Sequence, residues 1–243
     1  MPNGSRCPTS LPLHTLTESW LRPAADGLVA VLLAPVCAAC RQPLPHPTRG
    51  AVCGACWSAV DPLSPRGIEP LPPFIDVSSA IGSYDGRLRD VIQAFKYDAR
   101  STIAKHLARR MRVAGAPVLD GADIVVPVPL HRSRERVRGF NQARELGRHL
   151  GLPLRDTLVR TRKTETQADL PAVRRHANVR GAFAMRTAGT TVEDLVVVLI
   201  DDVSTTGATL NACASVLLDA GAAEVRALTA ARAVIAAPNQ TSA

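Results

Sequence analysis

The chain has 243 residues, with 29 Lys and Arg against 21 Asp and Glu, a formal charge of +8, and 46% hydrophobic residues. That apolar content excludes disorder as the main state, and the length suffices for one or two domains with a sizeable core. A membrane span is excluded too. The longest apolar run, Leu28–Cys40, has 13 residues and contains Pro35, against the roughly 20 that a bilayer requires.

Residues 1–20 are polar and aperiodic and read as a loose tail. Residues 21–34 predict a short helix. Arg22, then Leu28–Ala34, then Ala38-Ala39-Cys40 loosely imitates a lipoprotein signal. Asp26 interrupts it, Pro35 falls late, and Cys37 stands where an aliphatic residue is wanted, so the protein is expected to be cytoplasmic. Cys37, Cys40, Cys53 and Cys56 form two Cys-x-x-Cys pairs separated by twelve residues. Two such knuckles can close a tetrahedral four-thiolate site with no open position, which suits structural Zn2+. Disulfides are the competing reading, but nothing else in the chain looks secreted. Cys7 has no partner pattern, and Cys213 reads as a small buried residue on a helix. A zinc module is thus expected over 21–60. Pro62, Pro65, Pro70, Pro72 and Pro73 mark a linker over 61–73, because proline opposes helix and central strand alike.

From 74 to 232 the pattern changes. Ile75–Ser83 predicts a strand, and Leu88, Val91, Ile92 and Phe95 share one helical face. Ile103–Val113 predicts a second helix, Asp123–Val128 a buried strand, and Phe140–Leu150 a helix stopped at Gly151. Residues 157–186 are polar, basic and without clear period. Leu195–Ile200 is the clearest buried strand, followed by a helix over Thr209–Ala220 and a strand over Glu224–Ala230. Strands alternating with helices predict an α/β domain with a mainly parallel sheet covered on both faces. Residues 233–243 are left as a C-terminal tail.

The strongest chemical signal is Ile200-Asp201-Asp202-Val203-Ser204-Thr205-Thr206-Gly207-Ala208-Thr209. An apolar strand runs into two carboxylates, then a loop of small hydroxyl residues and Gly, then a helix. Ligands of open parallel sheets bind beyond the carboxyl ends of the strands. The loop and the helix start expose N–H groups that suit an anion. The carboxylates fit sugar hydroxyls, with Mg2+ nearby to balance charge. The implied ligand carries a ribose diol and a phosphate. No Gly-Lys-Ser/Thr follows, so this is not a Walker loop. Residues 131–186 hold 14 Lys/Arg and 5 Asp/Glu, a basic excess that suits a phosphate-rich ligand or nucleic acid. Four Arg in seven residues from Arg132 to Arg138, followed by Phe140, can hold a nucleic-acid backbone with a stacked base or, equally, pyrophosphate. The histidines at 106, 131, 149 and 176 read as surface or structural residues.

Val197–Leu210 resembles the phosphoribosyl-pyrophosphate signature of type I phosphoribosyltransferases, and the chain resembles the ComF family. The likeness takes in the two Cys-x-x-Cys pairs, Ser83-Tyr84-Asp85, Phe95-Lys96-Tyr97, Val126–Leu130 and Arg138–Gln142. Arg160 to Gln167, Leu170, Arg174/Arg175 and Asn178–Phe183 complete it, over about 28–232. The resemblance implies a type I phosphoribosyltransferase fold with a small N-terminal zinc module. It implies that Asp201 and Asp202 take the ribose hydroxyls and Thr205–Thr209 the 5′-phosphate, with Val203 and Ser204 in the same binding stretch. Leu130, His131 and Arg132 would form the pyrophosphate loop. Arg162 and Lys163, with the Arg160–Gln167 segment, would close over the departing pyrophosphate.

Two functions follow as expectations. One is an enzyme transferring a phosphoribosyl group from phosphoribosyl pyrophosphate, with Mg2+, to an acceptor that no base-recognition pattern names. The other is a non-catalytic protein that keeps the pocket and binds single-stranded DNA. The family's association with natural transformation adds competence proteins as partners. A nucleotide-sensing regulator ranks third, because no helix-turn-helix segment is present.

Overall fold

A computed structural model describes residues 23–60 except 24 and 30, then 71–97, 102–162, 179–186 and 191–233. The expected tail 1–20, linker residues 61–70, Cys7, residues 163–178 (with Lys163, His176 and most of the Arg160–Gln167 segment) and tail residues 234–243 lie outside the described residues.

β1 (Ser78–Ser83), β2 (Ile124–Pro127), β5 (Val196–Ser204) and β6 (Glu224–Arg232) form one parallel sheet in the order β1–β6–β5–β2. β3 (Leu158–Arg160) and β4 (Phe183–Met185) pair antiparallel beside it. Both faces of the parallel sheet are covered, which is why β5 reads as a nearly unbroken apolar run. Val198 and Ile200 turn to one layer, formed by α2 (Gly86–Tyr97), α3 (Thr102–Ala114) and α6 (Gln142–Gly147). Val197 and Leu199 turn to the other, formed by α7 (Ala208–Asp219) and the β3–β4 pair. Leu88, Val91, Ile92 and Phe95 are the buried stripe of α2, as their spacing predicts. Cys213 is buried in α7.

β1 starts at Ser78 rather than Ile75, β3 and β4 arise in the stretch 157–186 that shows no period, and a short helix (α4) forms over Ala116–Leu119. Two further differences bear on the site. β5 continues past Ile200 through both acids to Ser204, with Asp201 opposite Thr229 and Ser204 opposite Arg232. The ladder is made by backbone groups, so polar side chains near a sheet's open end do not stop it. The predicted helix over 140–150 is confined to α6, and a separate helix, α5 (Arg132–Arg138), precedes it. α5 buries no residue and stands on its caps. The Ser133 N–H donates to His131 Nδ1 at 3.2 Å. Gly139 closes the far end in the left-handed region at φ 80°. Phe140, considered above for base stacking, is half-buried and leans on Phe95, with ring centroids 5.4 Å apart.

The cysteine segment is small: a bridge between Val36 and Pro43, a 3-10 turn over Pro47–Arg49, and α1 (Gly54–Ser58). Cys37, Leu44, Val52 and Cys56 belong to the same buried cluster as α2 and α3. Trp57 stacks on His106 at 5.9 Å, and Arg110 lies over the Trp57 ring at 4.6 Å. Arg110 also donates to the Trp57 carbonyl at 2.9 Å. Among the described residues no helix is long and apolar enough to cross a membrane.

Candidate functional site

The site grows from the end of β5. Successive strand residues face opposite sides of a sheet, so Asp202 follows Val198 and Ile200 toward α2, and Asp201 follows Leu199 toward α7. Asp202 is 8% exposed, and its carboxylate lies 3.4 Å from Lys96 Nζ of α2. Asp201 accepts the Asp202 N–H at 2.8 Å. Burial, reinforced by the charge of Asp202, pushes the Asp201 carboxyl up to about 7, against the pull of that N–H, Lys96 and Arg160. The two adjacent acids are therefore different chemical objects. One is ion-paired, and the other sits near its midpoint at neutral pH.

Beyond β5 the chain turns through Thr205 and Thr206 into α7. Gly207 lies in the left-handed region at φ 71°, and a Cβ there would collide with Pro72. Thr206 Oγ1 accepts the Ala208 N–H at 3.4 Å. Thr205 Oγ1 is buried and has no hydrogen-bond partner among the described residues. Buried hydroxyls are ordinarily paired; Thr157 Oγ1 is another exception, and what sets the Thr205 hydroxyl apart is its place at a helix start beside two acids. Thr205, Gly207, Ala208 and Thr209 line a small cleft at this point.

The cleft adjoins a cavity of about 220 Å³ bordered by both acids, Thr205 and Thr209. Arg134, Arg138 and Arg160 reach it from α5 and β3, and Leu130 from the turn after β2. Arg134 and Arg138 are four residues apart, hence on one helix face. Arg132 is exposed at the start of α5, and His131 is spent on capping. Gln142, 1% exposed, accepts Arg138 Nη1 at 3.0 Å. Asn141 caps α6 and donates to the Val128 carbonyl at 3.0 Å. The Arg138–Gln142 stretch is thus a brace that fixes Arg138 against the end of β2. Burial, with Arg134 nearby, lowers the pKa of Arg160, whose guanidinium lies over the Phe183 ring at 5.3 Å. Arg162 is exposed and donates to the Arg180 carbonyl at 2.6 Å.

Of the residues expected at a ligand site, Asp201, Asp202, Val203, Thr205, Thr209 and Leu130 border this cavity, and Tyr84, Lys96, Tyr97 and Arg138 reach it from the stretches that resemble the ComF family; Gln93 carries no sequence signal, and Arg134 only that of the basic run.

The four cysteine thiols Cys37, Cys40, Cys53 and Cys56 lie within 4.8 Å of one another. Cys37 and Cys56 Sγ are 3.8 Å apart, and Cys40 and Cys53 Sγ 3.9 Å. These separations are far beyond a disulfide bond of ~2.05 Å. They match the ~3.8 Å edge of a tetrahedron built on ~2.3 Å metal–sulfur bonds. The donor set therefore fits a soft four-coordinate ion. Burial opposes ionisation of Cys37 while the N–H groups of Cys40, Cys53 and Ala39 favour it, and burial together with the neighbouring thiols pushes Cys56 up.

Residues 136–240 match the phosphoribosyl transferase domain model. Competence protein F of Haemophilus influenzae is 34% identical over 171 residues, covering 66% of this chain and 75% of that protein. The DNA utilization protein YhgH of Salmonella typhi is 33% identical over 204 residues, covering 79% and 81%. Competence protein ComFC of Bacillus subtilis is 35% identical over 144 residues, covering 59% and 54%. By these relatives and by its parallel sheet with a four-cysteine cluster, the chain belongs to the ComF family and has the type I phosphoribosyltransferase fold.

Proposed function

We propose that the chain binds phosphoribosyl pyrophosphate with Mg2+ and transfers its phosphoribosyl group. The observation that carries this reading is the shared cavity. Two acids, a loop with an orphaned buried hydroxyl, and three guanidiniums converge there from β5, α5, α7 and β3. Asp201 and Asp202 accept the ribose hydroxyls, and the Thr205–Thr209 stretch takes the 5′-phosphate. In the transfer, a lone pair of the acceptor forms a bond to the anomeric carbon. The bond from that carbon to pyrophosphate breaks, its electron pair leaves on the pyrophosphate oxygen, and the acceptor's proton passes to water. Arg134, Arg138 and Arg160 would stabilise the leaving charge by position alone, and the two acids the positive sugar. Mg2+, when bound, would shield the diphosphate. Lys163 and Arg162, expected over the pyrophosphate, stay in the proposal as residues of the covering segment. Cys37, Cys40, Cys53 and Cys56 hold Zn2+ in a structural role. Calorimetry with phosphoribosyl pyrophosphate and Mg2+ tests the reading: Asp202→Ala is expected to abolish a heat that the wild type shows. No binding to wild type would refute it.

A second reading has its own observation. Arg49, Lys105, Arg109 and Arg112 border an open groove of about 820 Å³ between the cysteine module and α3. Such a groove suits a phosphate backbone, and the relatives are named for competence and DNA utilization. On this reading the protein is a single-stranded-DNA-binding competence protein, acting with other competence proteins in the cytoplasm. Binding of oligothymidylate with a steep salt dependence, lost in Arg109→Glu/Arg112→Glu but kept in Asp201→Asn/Asp202→Asn, would establish it.

A further inference from the structure

The four cysteine sulfurs are not equivalent. Cys37 and Cys56 are buried, with sulfurs 3.8 Å apart, whereas Cys40 and Cys53 are half-buried, with sulfurs 3.9 Å apart. An oxidant in solvent therefore meets two adjacent thiols that belong to different knuckles. The chain between the knuckles also builds the basic groove. Arg49 and Gly50 form one wall of it, and Lys105, Arg109 and Arg112 of α3 form the other. Gly50 lies at φ 135°, so close to α3 that a Cβ on it would stand 3.0 Å from His106 Nε2. This wall is tied to the metal ligands. The Ala38 N–H donates to the Ala51 carbonyl at 2.8 Å, and the Cys53 N–H donates to Cys37 Sγ at 3.3 Å.

We propose that Cys40 and Cys53 are a peroxide-reactive pair whose oxidation expels the metal and dismantles the groove. The inference rests on the four-thiolate Zn2+ assignment and on the single-stranded-DNA reading, and it adds a regulation to that groove. The Cys40 thiolate attacks one oxygen of hydrogen peroxide. The O–O bond breaks, and the departing hydroxide takes a proton from solvent to give water, leaving Cys40 as a sulfenic acid. The Cys53 thiolate then attacks the Cys40 sulfur. The S–S bond forms, and the second hydroxide leaves and is protonated in the same way. Two electrons pass from the two thiolates to the peroxide, which ends as two waters. Cys37 and Cys56 are then two ligands where a closed site needs four, so the ion is lost and both sulfurs take up protons. Metal binding in such a module is also its folding energy. Residues 36–58 therefore loosen, and Arg49 leaves its place opposite α3.

The test treats the full, zinc-loaded chain with hydrogen peroxide and then with catalase. A chromogenic chelator reads released zinc, peptide mapping without reduction reads the disulfide, and hydrogen exchange reads the module. Fluorescence anisotropy reads oligothymidylate affinity at fixed salt. Zinc is expected to leave in step with a Cys40–Cys53 disulfide, and exchange to rise over 36–58. Oligothymidylate affinity should fall about tenfold, and dithiothreitol with Zn2+ should restore it. Cys40→His keeps four ligands but removes the half-buried thiol pair, and it should lose zinc to peroxide at least about tenfold more slowly. The wild-type mapping decides the point even where that variant fails to hold its metal. Zinc retained after peroxide, or zinc lost while Cys40 and Cys53 stay reduced, would overturn the inference. So would oligothymidylate affinity unchanged after zinc loss, or exchange that rises as much over β5 and β6 as over 36–58, which marks global unfolding. Reduced wild type that binds no oligothymidylate would overturn the DNA reading alone, because zinc, disulfide and exchange are measured without nucleic acid and still decide the redox step.

Discussion

Asp201→Asn should make the protein more stable and less able to bind. The Asp201 carboxyl is raised from 3.8 to about 7 by burial and by the neighbouring Asp202. A raised carboxyl means that between about pH 4 and pH 7 the folded chain holds a proton that the unfolded chain has released. Stability therefore falls as pH rises through that window and stays low above it. About three pKa units at ~1.4 kcal/mol each give an upper figure of about 4 kcal/mol. Asn keeps the size of Asp and still accepts the Asp202 N–H. It gives back part of the gain, because a neutral acceptor bonds more weakly than a carboxylate. The expected gain at pH 8 is thus about 2–4 kcal/mol, or roughly 5–12 °C in Tm for a chain of this size.

Thermal and urea unfolding of the ligand-free, metal-loaded protein at pH 8 and pH 5 reads this directly. Most of the gain should be present at pH 8 and most of it absent at pH 5. Calorimetry on the same variant should show sugar-phosphate affinity down at least about tenfold. A variant no more stable than wild type at pH 8 would refute the reasoning. So would a gain of the same size at both pH values, because it would come from something other than the buried charge.

Thr205→Val should leave stability unchanged or slightly raised, since Thr205 Oγ1 is buried without a partner among the described residues, while sugar-phosphate affinity falls about five- to tenfold by calorimetry. Gly207→Ala should cost about 1–3 kcal/mol in urea unfolding, because φ 71° disfavours any side chain and Pro72 fills the space. Chelation should release one zinc per chain. Hydrogen exchange should then rise first over 36–58 and next along the α3 face under Trp57, around His106 and Arg110. An intact module after metal loss would contradict the four-thiolate assignment. Gln142→Leu should preserve the fold and raise the Michaelis constant for the sugar phosphate rather than lower kcat, since Arg138 loses the brace that holds it in the cavity.

What the sequence made legible were features written along one stretch of chain. The acids, loop and helix start of 201–209 are consecutive, and periodicity named the buried stripe of α2 and the strand of β5. α5 was invisible because periodicity detects a buried face, and this helix has none. The burial of Gln142 was invisible for a related reason. A polar side chain enters a core only when partners such as Arg138 and the Phe140 carbonyl are in place, and no propensity encodes that. Lys96, Arg134, Arg138 and Arg160 come from three separate elements, α2, α5 and β3, and only the folded sheet brings them to one cavity.

The two acids show why that convergence matters more than the motif. As a sequence, Asp201-Asp202 is a symmetric pair. Strand alternation breaks the symmetry, because it sends one carboxylate toward α2 and a lysine and the other toward α7, where burial suppresses its charge. A ligand that bridges the end of β5 meets an ion pair on one side and a carboxyl near its midpoint on the other. On the proposed reading, a diol that donates to both carboxylates competes with Lys96 for Asp202 and favours the ionised form of Asp201, which ties sugar binding to a cation on α2 and to a proton beside α7. Measured proton release on sugar-phosphate binding near pH 7, absent in Asp201→Asn, is the expected mark of that coupling, and its absence in wild type would show that the pair acts as two ordinary carboxylates.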